Sequence, residues 1–245
     1  MERVDVLLVN KGLAPSRQKA ISLIKEGMVF CGTKKVIKPS ERFDVETDFE
    51  VRGELLKYVS RGGFKLEGAI QSFGLDFNGK TILDMGSSTG GFTDCSLQHG
   101  AKKVFAVDVG SNQLVQNLKN NPKVVSMENT DIRDLKKEIF DECDFVVGDL
   151  SFISIVKIIE YIKAFLTNQQ LVLLIKPQFE CGVDLAKKYK GTIRDYNLSK
   201  KICHETLEKI KKMGFVVKNV ADSPIKGGDG NSEFITLIEK IKKDD

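Results

Sequence analysis

The chain has 245 residues, of which 41% are hydrophobic and 29% charged, with a formal net charge of +4. That balance belongs to a globular chain able to bury a core, and the length exceeds the roughly 100–200 residues of one domain, so a large domain beside a small one is expected. Disorder is expected only in the tail, residues 242–245, and apolar runs such as 171–175 fall far below the roughly 18 residues that cross a bilayer, which excludes a membrane-spanning chain.

The N-terminal Met-Glu-Arg-Val-Asp is charged and lacks the apolar stretch of a secretory signal, so a cytoplasmic location is expected. Val4, Leu7 and Leu8 are spaced as a helix stopped by Gly12. Ser16 is placed to cap a second helix that carries Ala20, Ile21, Leu23 and Ile24 and ends at Gly27. Strand-like runs follow at 28–31, 35–37 and 49–52, broken at Gly32-Thr33 and Pro39-Ser40. Charge is uneven across this α+β unit. Residues 1–38 hold eight Lys or Arg against Glu2, Asp5 and Glu26, a net +5, whereas 39–54 hold two against six acids, a net −4. The helical hairpin therefore carries either a solvated basic face or a phosphate-binding surface, with Lys11, Arg17, Lys19 and Lys25 as candidate contacts. The small domain is assigned to 1–58, a linker to 59–63 within the polar stretch 53–63, and a second domain to 64–245.

Phe64, Leu66, Ala69, Ile70 and Phe73 open the second domain as an amphipathic helix. Short apolar strands then alternate with helices, at 81–84, 103–108, 124–126, 144–148 and 171–175. A long helix, capped by Ser151, buries Ile155, Ile158, Ile159, Ile162 and Leu166. Another, from 197 to 213, turns Leu198, Ile202, Leu207 and Ile210 inward. Two final strands, 215–221 and 233–241, flank a turn-rich segment and form an antiparallel pair at the sheet edge. The whole predicts an α/β domain with a mostly parallel seven-stranded sheet, the Rossmann-like layout of class I methyltransferases.

Strand 81–84 runs into Asp84-Met-Gly86-Ser-Ser88-Thr89-Gly90-Gly91-Phe92, a glycine-rich turn where an α/β sheet binds a nucleotide-like ligand. The glycine spacing is not the Gly-x-Gly-x-x-Gly of dinucleotide sites, and an acid, Asp84, precedes the first glycine. A carboxylate there suits a ligand bearing an amine and a sulfonium better than a pyrophosphate. Asp108 ends the second strand, where an acid accepts ribose hydroxyls, and Asp131 follows the third, in reach of an adenine amino group. Together they read as a site for S-adenosylmethionine; a tight turn with capping acids is the plainer alternative. The five cysteines, Cys31, Cys95, Cys143, Cys181 and Cys203, are scattered and never spaced Cys-x-x-Cys, so no disulfide framework and no metal site is expected. His99 and His204 read as a helix-end cation and a surface side chain.

Four charged residues fall at strand ends or beside them: Lys65 on the opening helix, Asp149 after the fourth strand, Lys176 ending the fifth, and Glu233 starting the last. Taken singly each reads as a surface ion pair; taken together they converge on the ligand crevice. Beyond Lys176, Lys187-Lys188-Tyr-Lys190 and Arg194 read as a basic loop, solvated or contacting RNA.

The run Arg3-Val-Asp-Val-Leu-Leu, Gly12, Ser16-Arg17, Ala20, Ile24, Gly27-Met-Val29 and Gly32 resembles the RNA-binding domain first recognised in ribosomal protein S-four, which adds Arg3 to the RNA candidates. Ser60-Arg-Gly-Gly-Phe-Lys65, Asp84 to Asp94, Gly148-Asp-Leu-Ser-Phe152, Ile175-Lys-Pro-Gln-Phe-Glu180 and Gly230-Asn-Ser-Glu-Phe234 resemble the TlyA or hemolysin-A family, a branch of the FtsJ-like 2′-O-methyltransferases. Cys31 and Ser87 stand where these families often have Asn and Ala. The resemblance implies methylation of cytidine ribose in the rRNA of ribosomal subunits, with Lys65, Asp149, Lys176 and Glu233 as a catalytic tetrad and Lys176 as the base. A ribose hydroxyl is a very weak acid that must be aimed and relieved of its proton, and lysine can take it only when neutral. The competing readings are a membrane-active hemolysin, a ribosome-binding module without catalysis, and a dinucleotide oxidoreductase.

Overall fold

The computed structural model describes residues 1–25, 27–52 and 57–241, without the Lys25 side chain, and divides into two compact units, Met1–Lys57 and Tyr58–Asp245. The tail 242–245, residue 56 and the first part of the stretch 53–63 lie outside the described residues.

In the small unit the order is β1 (Glu2–Arg3), α1 (Val4–Asn10), α2 (Arg17–Lys25), β2 (Val29–Cys31), β3 (Lys34–Lys35), β4 (Arg42–Phe43) and β5 (Glu50–Val51). Ser16 caps α2, its Oγ accepting from Lys19 N at 3.2 Å. Val4, Leu7 and Leu8 of α1 and Ala20, Leu23 and Ile24 of α2 are buried together against Val29, Val36 and Phe49, as the helical spacing requires. Strands β3-β2-β5 form one sheet, and β1 pairs with β4 antiparallel. The β1–β4 pair escaped the sequence reading because two residues a side carry no period. The strand expected at 35–37 stops at Lys35: the Glu41 carboxylate accepts from Ile37 N and Lys38 N at 3.0 and 2.8 Å and turns the chain, leaving Ile37 exposed.

The large unit runs α3 (Gly62–Phe73), β6 (Thr81–Met85), α4 (Gly91–Gln98), β7 (Lys103–Val107), α5 (Gln116–Lys119), β8 (Val124–Met127), a 3-10 turn Ile132–Asp134, α6 (Lys137–Glu142), β9 (Phe145–Gly148), α7 (Ile155–Ile162), β10 (Gln170–Ile175), α8 (Pro177–Glu180), α9 (Gly182–Tyr189), α10 (Tyr196–Lys212), β11 (Phe215–Asp222) and β12 (Phe234–Lys240). Its seven-stranded sheet has the order β11-β12-β10-β9-β6-β7-β8. The first five strands in sequence are parallel, and β12 lies antiparallel between β10 and β11. The final hairpin therefore places only β11 at an edge. Side chains alternate between two cores, as a sheet covered on both faces demands. Leu83, Val107, Val146, Leu173 and Ile175 pack with α7 and α10, whereas Ile82, Val104, Val147 and Leu174 pack with α3 and α4.

Ser151 does not cap α7. The cap is Ser154, and the first free amide, Ile155 N, is satisfied by Glu180 Oε1 at 2.7 Å while Ser154 Oγ donates to Glu180 Oε2 at 2.6 Å. The basic run at 187–190 is not a loop through its length, since α9 carries Lys187 and Lys188 to its last turn, where cations complement the helix dipole.

Candidate active site

The ends of β6, β7 and β9 surround a cavity of about 460 Å³. Its floor is the glycine-rich turn. Gly86 has φ +76°, and a Cβ there would stand 2.8 Å from the Leu150 side chain; a Cβ on Gly91 would stand 2.9 Å from Gly63 N. Glycine at these positions lets the turn close down on Leu150 and on the start of α3. Asp108 fastens the turn from the side, accepting from Ser88 N at 2.8 Å and from Gly110 N at 2.7 Å.

Asp84 sits beneath the turn with no solvent exposure. Thr93 Oγ1 donates to its Oδ2 at 2.6 Å, while Oδ1 is buried without a hydrogen-bond partner among the described residues. Burial pushes its pKa up to about 7, against the pull of the Thr93 hydrogen bond. Asp131 caps the 3-10 turn, and hydrogen bonds from the Arg133 guanidinium and backbone amide draw its pKa down to about 2. Three carboxylates line the cavity, those of Asp108, Asp131 and Asp149, and among the described residues no lysine or arginine does; Val107, Ile132, Leu150 and Ile153 supply apolar wall. Asp131 is paired with Arg133, and Asp149 with Lys65 and Lys176, so the Asp108 carboxylate beside the apolar wall carries the negative character, which suits a ligand with hydroxyl groups and a flat apolar part better than a pyrophosphate.

Of the residues expected to bind cofactor, Gly86, Ser88, Asp108 and Asp131 line the cavity. Asp84, Thr89, Gly90, Gly91 and Phe92 do not. Phe92 is buried in the core beneath α3, and Gly90 begins α4 with φ +101°. Leu150, Ser151 and Phe152 line it although the sequence reading assigned them no part in binding a ligand. Their signal was positional, since they follow Asp149 directly at a strand end.

Lys65, Asp149, Lys176 and Glu233 meet in one chain of contacts. Lys65 Nζ lies 2.7 Å from Glu233 Oε2 and 3.0 Å from Asp149 Oδ2, and Lys176 Nζ lies 2.7 Å from Asp149 Oδ1. Both lysines are 7% exposed and Glu233 is 4% exposed, so these are desolvated charges held by their partners. Burial opposes the Lys65 ammonium, but Asp149 and Glu233 together outweigh it and raise its pKa above the ordinary lysine value. Burial likewise opposes the Asp149 carboxylate, and Lys65 and Lys176 outweigh it, holding that pKa below the usual range. Lys176 differs from Lys65 in its company: one carboxylate and the neutral Ser151, to whose Oγ it donates at 2.8 Å.

The segment after β9 is stitched to the segment after β10. Besides the Lys176 contacts, the Phe152 and Phe179 rings approach to 5.3 Å between centroids, and Glu180 holds Ser154 and Ile155. Phe152 is 91% exposed and has φ +65°, an unusual backbone state for an aromatic residue. Of the expected RNA contacts, Lys187, Lys188 and Arg194 are exposed on the large unit, as is Lys11 on the small one; Lys19 is half-buried, and the Lys25 side chain is outside the described residues. Arg3 and Arg17 converge on Asp5.

Residues 58–240 match the FtsJ-like methyltransferase family and residues 2–48 the S4 domain. The chain is similar to Hemolysin A of Brachyspira hyodysenteriae, with 45% identity over 95% of this chain and 98% of that protein. It is 37% identical to the 16S/23S rRNA (cytidine-2'-O)-methyltransferase TlyA of Mycobacterium tuberculosis over 96% of this chain and 89% of that one. A solved structure of a candidate hemolysin from Streptococcus thermophilus superposes with a TM-score of 0.74 at 40% identity, covering 99% of this chain and 89% of the other.

Proposed function

The chain belongs to the FtsJ-like methyltransferase family, and from that premise we propose that it transfers a methyl group from S-adenosylmethionine to the 2′-hydroxyl of a cytidine ribose in rRNA, acting in the cytoplasm on ribosomal subunits. The observation that carries this reading is the buried Lys65–Asp149–Lys176 chain, closed by Glu233, beside a cavity lined by carboxylates. It also favours methyl transfer over membrane lysis, the activity suggested by the name of one relative.

The residues present fit adenosylmethionine. The unpartnered Asp84 Oδ1 suits a cationic group, and Asp108 and Asp131 suit ribose and adenine polar groups. When bound, adenosylmethionine supplies a methyl group on a positively charged sulfur. Glu233 and Asp149 keep Lys65 charged, so Lys65 serves to aim an incoming hydroxyl oxygen. Lys176, facing only one carboxylate, is the group assigned to take the hydroxyl proton, which it does as the neutral amine after releasing the proton that pairs it with Asp149. Asp149, kept ionised, orients both lysines. Arg3, Lys11, Arg17, Lys19 and Lys25 on the small unit, with Lys187, Lys188 and Arg194, are assigned to RNA phosphates. Purified protein, isolated ribosomal subunits and methyl-labelled adenosylmethionine should yield labelled RNA; label in protein alone, or none, overturns the reading.

Asp84 provides a pH signature. With its pKa raised from 3.8 to about 7, the folded protein retains a proton that the unfolded chain loses between those values. Its contribution to stability is therefore complete below about pH 4 and is lost as pH rises through 7, by up to roughly 4 kcal/mol at 1.36 kcal/mol for each pH unit. Asp84→Asn should melt increasingly above wild type as pH rises from 4 to 7. Calorimetry at pH 6 in buffers of differing ionisation enthalpy should detect a proton released when adenosylmethionine binds. Absence of proton release would remove Asp84 from contact with the ligand's cationic groups.

A further inference from the structure

Asp5 lies on the first turn of α1 with no solvent exposure, and both its oxygens face guanidinium groups. Arg3 donates from Nε to Oδ1 and from Nη2 to Oδ2, each at 3.0 Å, and Arg17 Nε donates to Oδ2 at 2.9 Å. The Arg3 hydrogen bond, against the cost of burial and with help from Arg17, brings the Asp5 pKa down to about 2. Both arginines keep an outward edge. The Arg17 side chain is 56% exposed, and neither of its Nη groups has a partner among the described residues.

One arginine would suffice to neutralise a buried carboxylate. Two planar guanidinium groups, Arg3 held along its Nε–Nη2 edge and Arg17 at Nε, both partly exposed, are arranged for something further. They stand in the segment 1–38 with its net +5. A guanidinium already fixed on one side loses less freedom when it binds an anion on the other, and its planar donors match phosphate oxygens. We propose that Asp5 is a positioning residue that presents Arg3 and Arg17 as a preset clamp for a backbone phosphate of RNA. This rests on the reading that the small unit binds RNA.

The clamp reverses the effect expected from charge alone. Removing an acid from a basic surface should tighten RNA binding by simple electrostatics; the clamp requires Asp5→Asn to weaken it. With the full chain and a fluorescein-labelled RNA hairpin, anisotropy titrations should show a loss of about three- to tenfold, the effect of one or two side chains that must then be ordered on binding. In an Arg3→Ala, Arg17→Ala background, Asp5→Asn should cause no further loss, because Asp5 acts through those two side chains. Arg3→Lys with Arg17→Lys leaves the net charge and Asp5 untouched, and should also weaken binding; this pair decides the matter if melting shows that Asp5→Asn disturbs the fold. Tighter binding by Asp5→Asn, or a loss that persists in the double-alanine background, overturns the clamp alone. Wild-type affinity in the double-alanine protein itself would show that these arginines do not touch RNA, and the clamp would fall with the reading beneath it.

Discussion

Lys176→Ala should leave adenosylmethionine and RNA affinity close to wild type while single-turnover methyl transfer falls by on the order of 10²–10⁴, the usual contribution of a general base. Lys176 is held by Asp149 at 2.7 Å and by Ser151 at 2.8 Å. Lys65, between two carboxylates, is kept protonated and is the poorer base. Lys176→Arg should fail to rescue, because a guanidinium stays charged and cannot take the proton. Recovery of most activity with arginine would make Lys176 a fixed positive charge, and the proton would need another acceptor.

Asp149→Ala should damage stability and turnover together. It strands the Lys176 ammonium with only Ser151 and leaves Lys65 with Glu233 alone, and removing one member of a buried charge network costs roughly 3–5 kcal/mol. The lower end applies, because Glu233 still faces Lys65 and the Asp149 side chain keeps 20% exposure. A thermal shift of roughly 2–4 °C for each kcal/mol is the corresponding readout for a domain of this size. The pKa of Asp149 is lowered on folding, so its contribution is present above the ordinary carboxylate value and is lost as pH falls through the folded one. The gap between wild type and variant should accordingly close in acid. Equal melting at neutral pH would mean that the two lysines do not depend on Asp149.

The sheet was legible from sequence because its strands are buried on both faces and stand out as short apolar runs between helical patterns. Three of the tetrad positions were legible as strand ends and Lys65 as a residue of the opening helix, but their order of contact was not: that Lys65 bridges two carboxylates while Lys176 meets one and Ser151 depends on distances among α3, the ends of β9 and β10, and the start of β12. Ser151 was misread as a cap because local spacing cannot reveal that Glu180, 25 residues beyond Ile155, supplies the acceptor. In the cofactor turn the glycines could be placed, yet the side on which Phe92 falls is set by the packing of α3 against α4. Asp5, counted from sequence only as a subtraction from positive charge, proves to be what the arginines grip.

The most direct test is nucleoside mapping of rRNA from cells with and without this protein. 2′-O-methylcytidine is expected at one or more rRNA positions in the first and not in the second, and should be lost again when Lys176→Ala replaces the wild type. A methyl group found on a base, or ribose methylation unchanged by removal of the protein, would contradict the proposed activity.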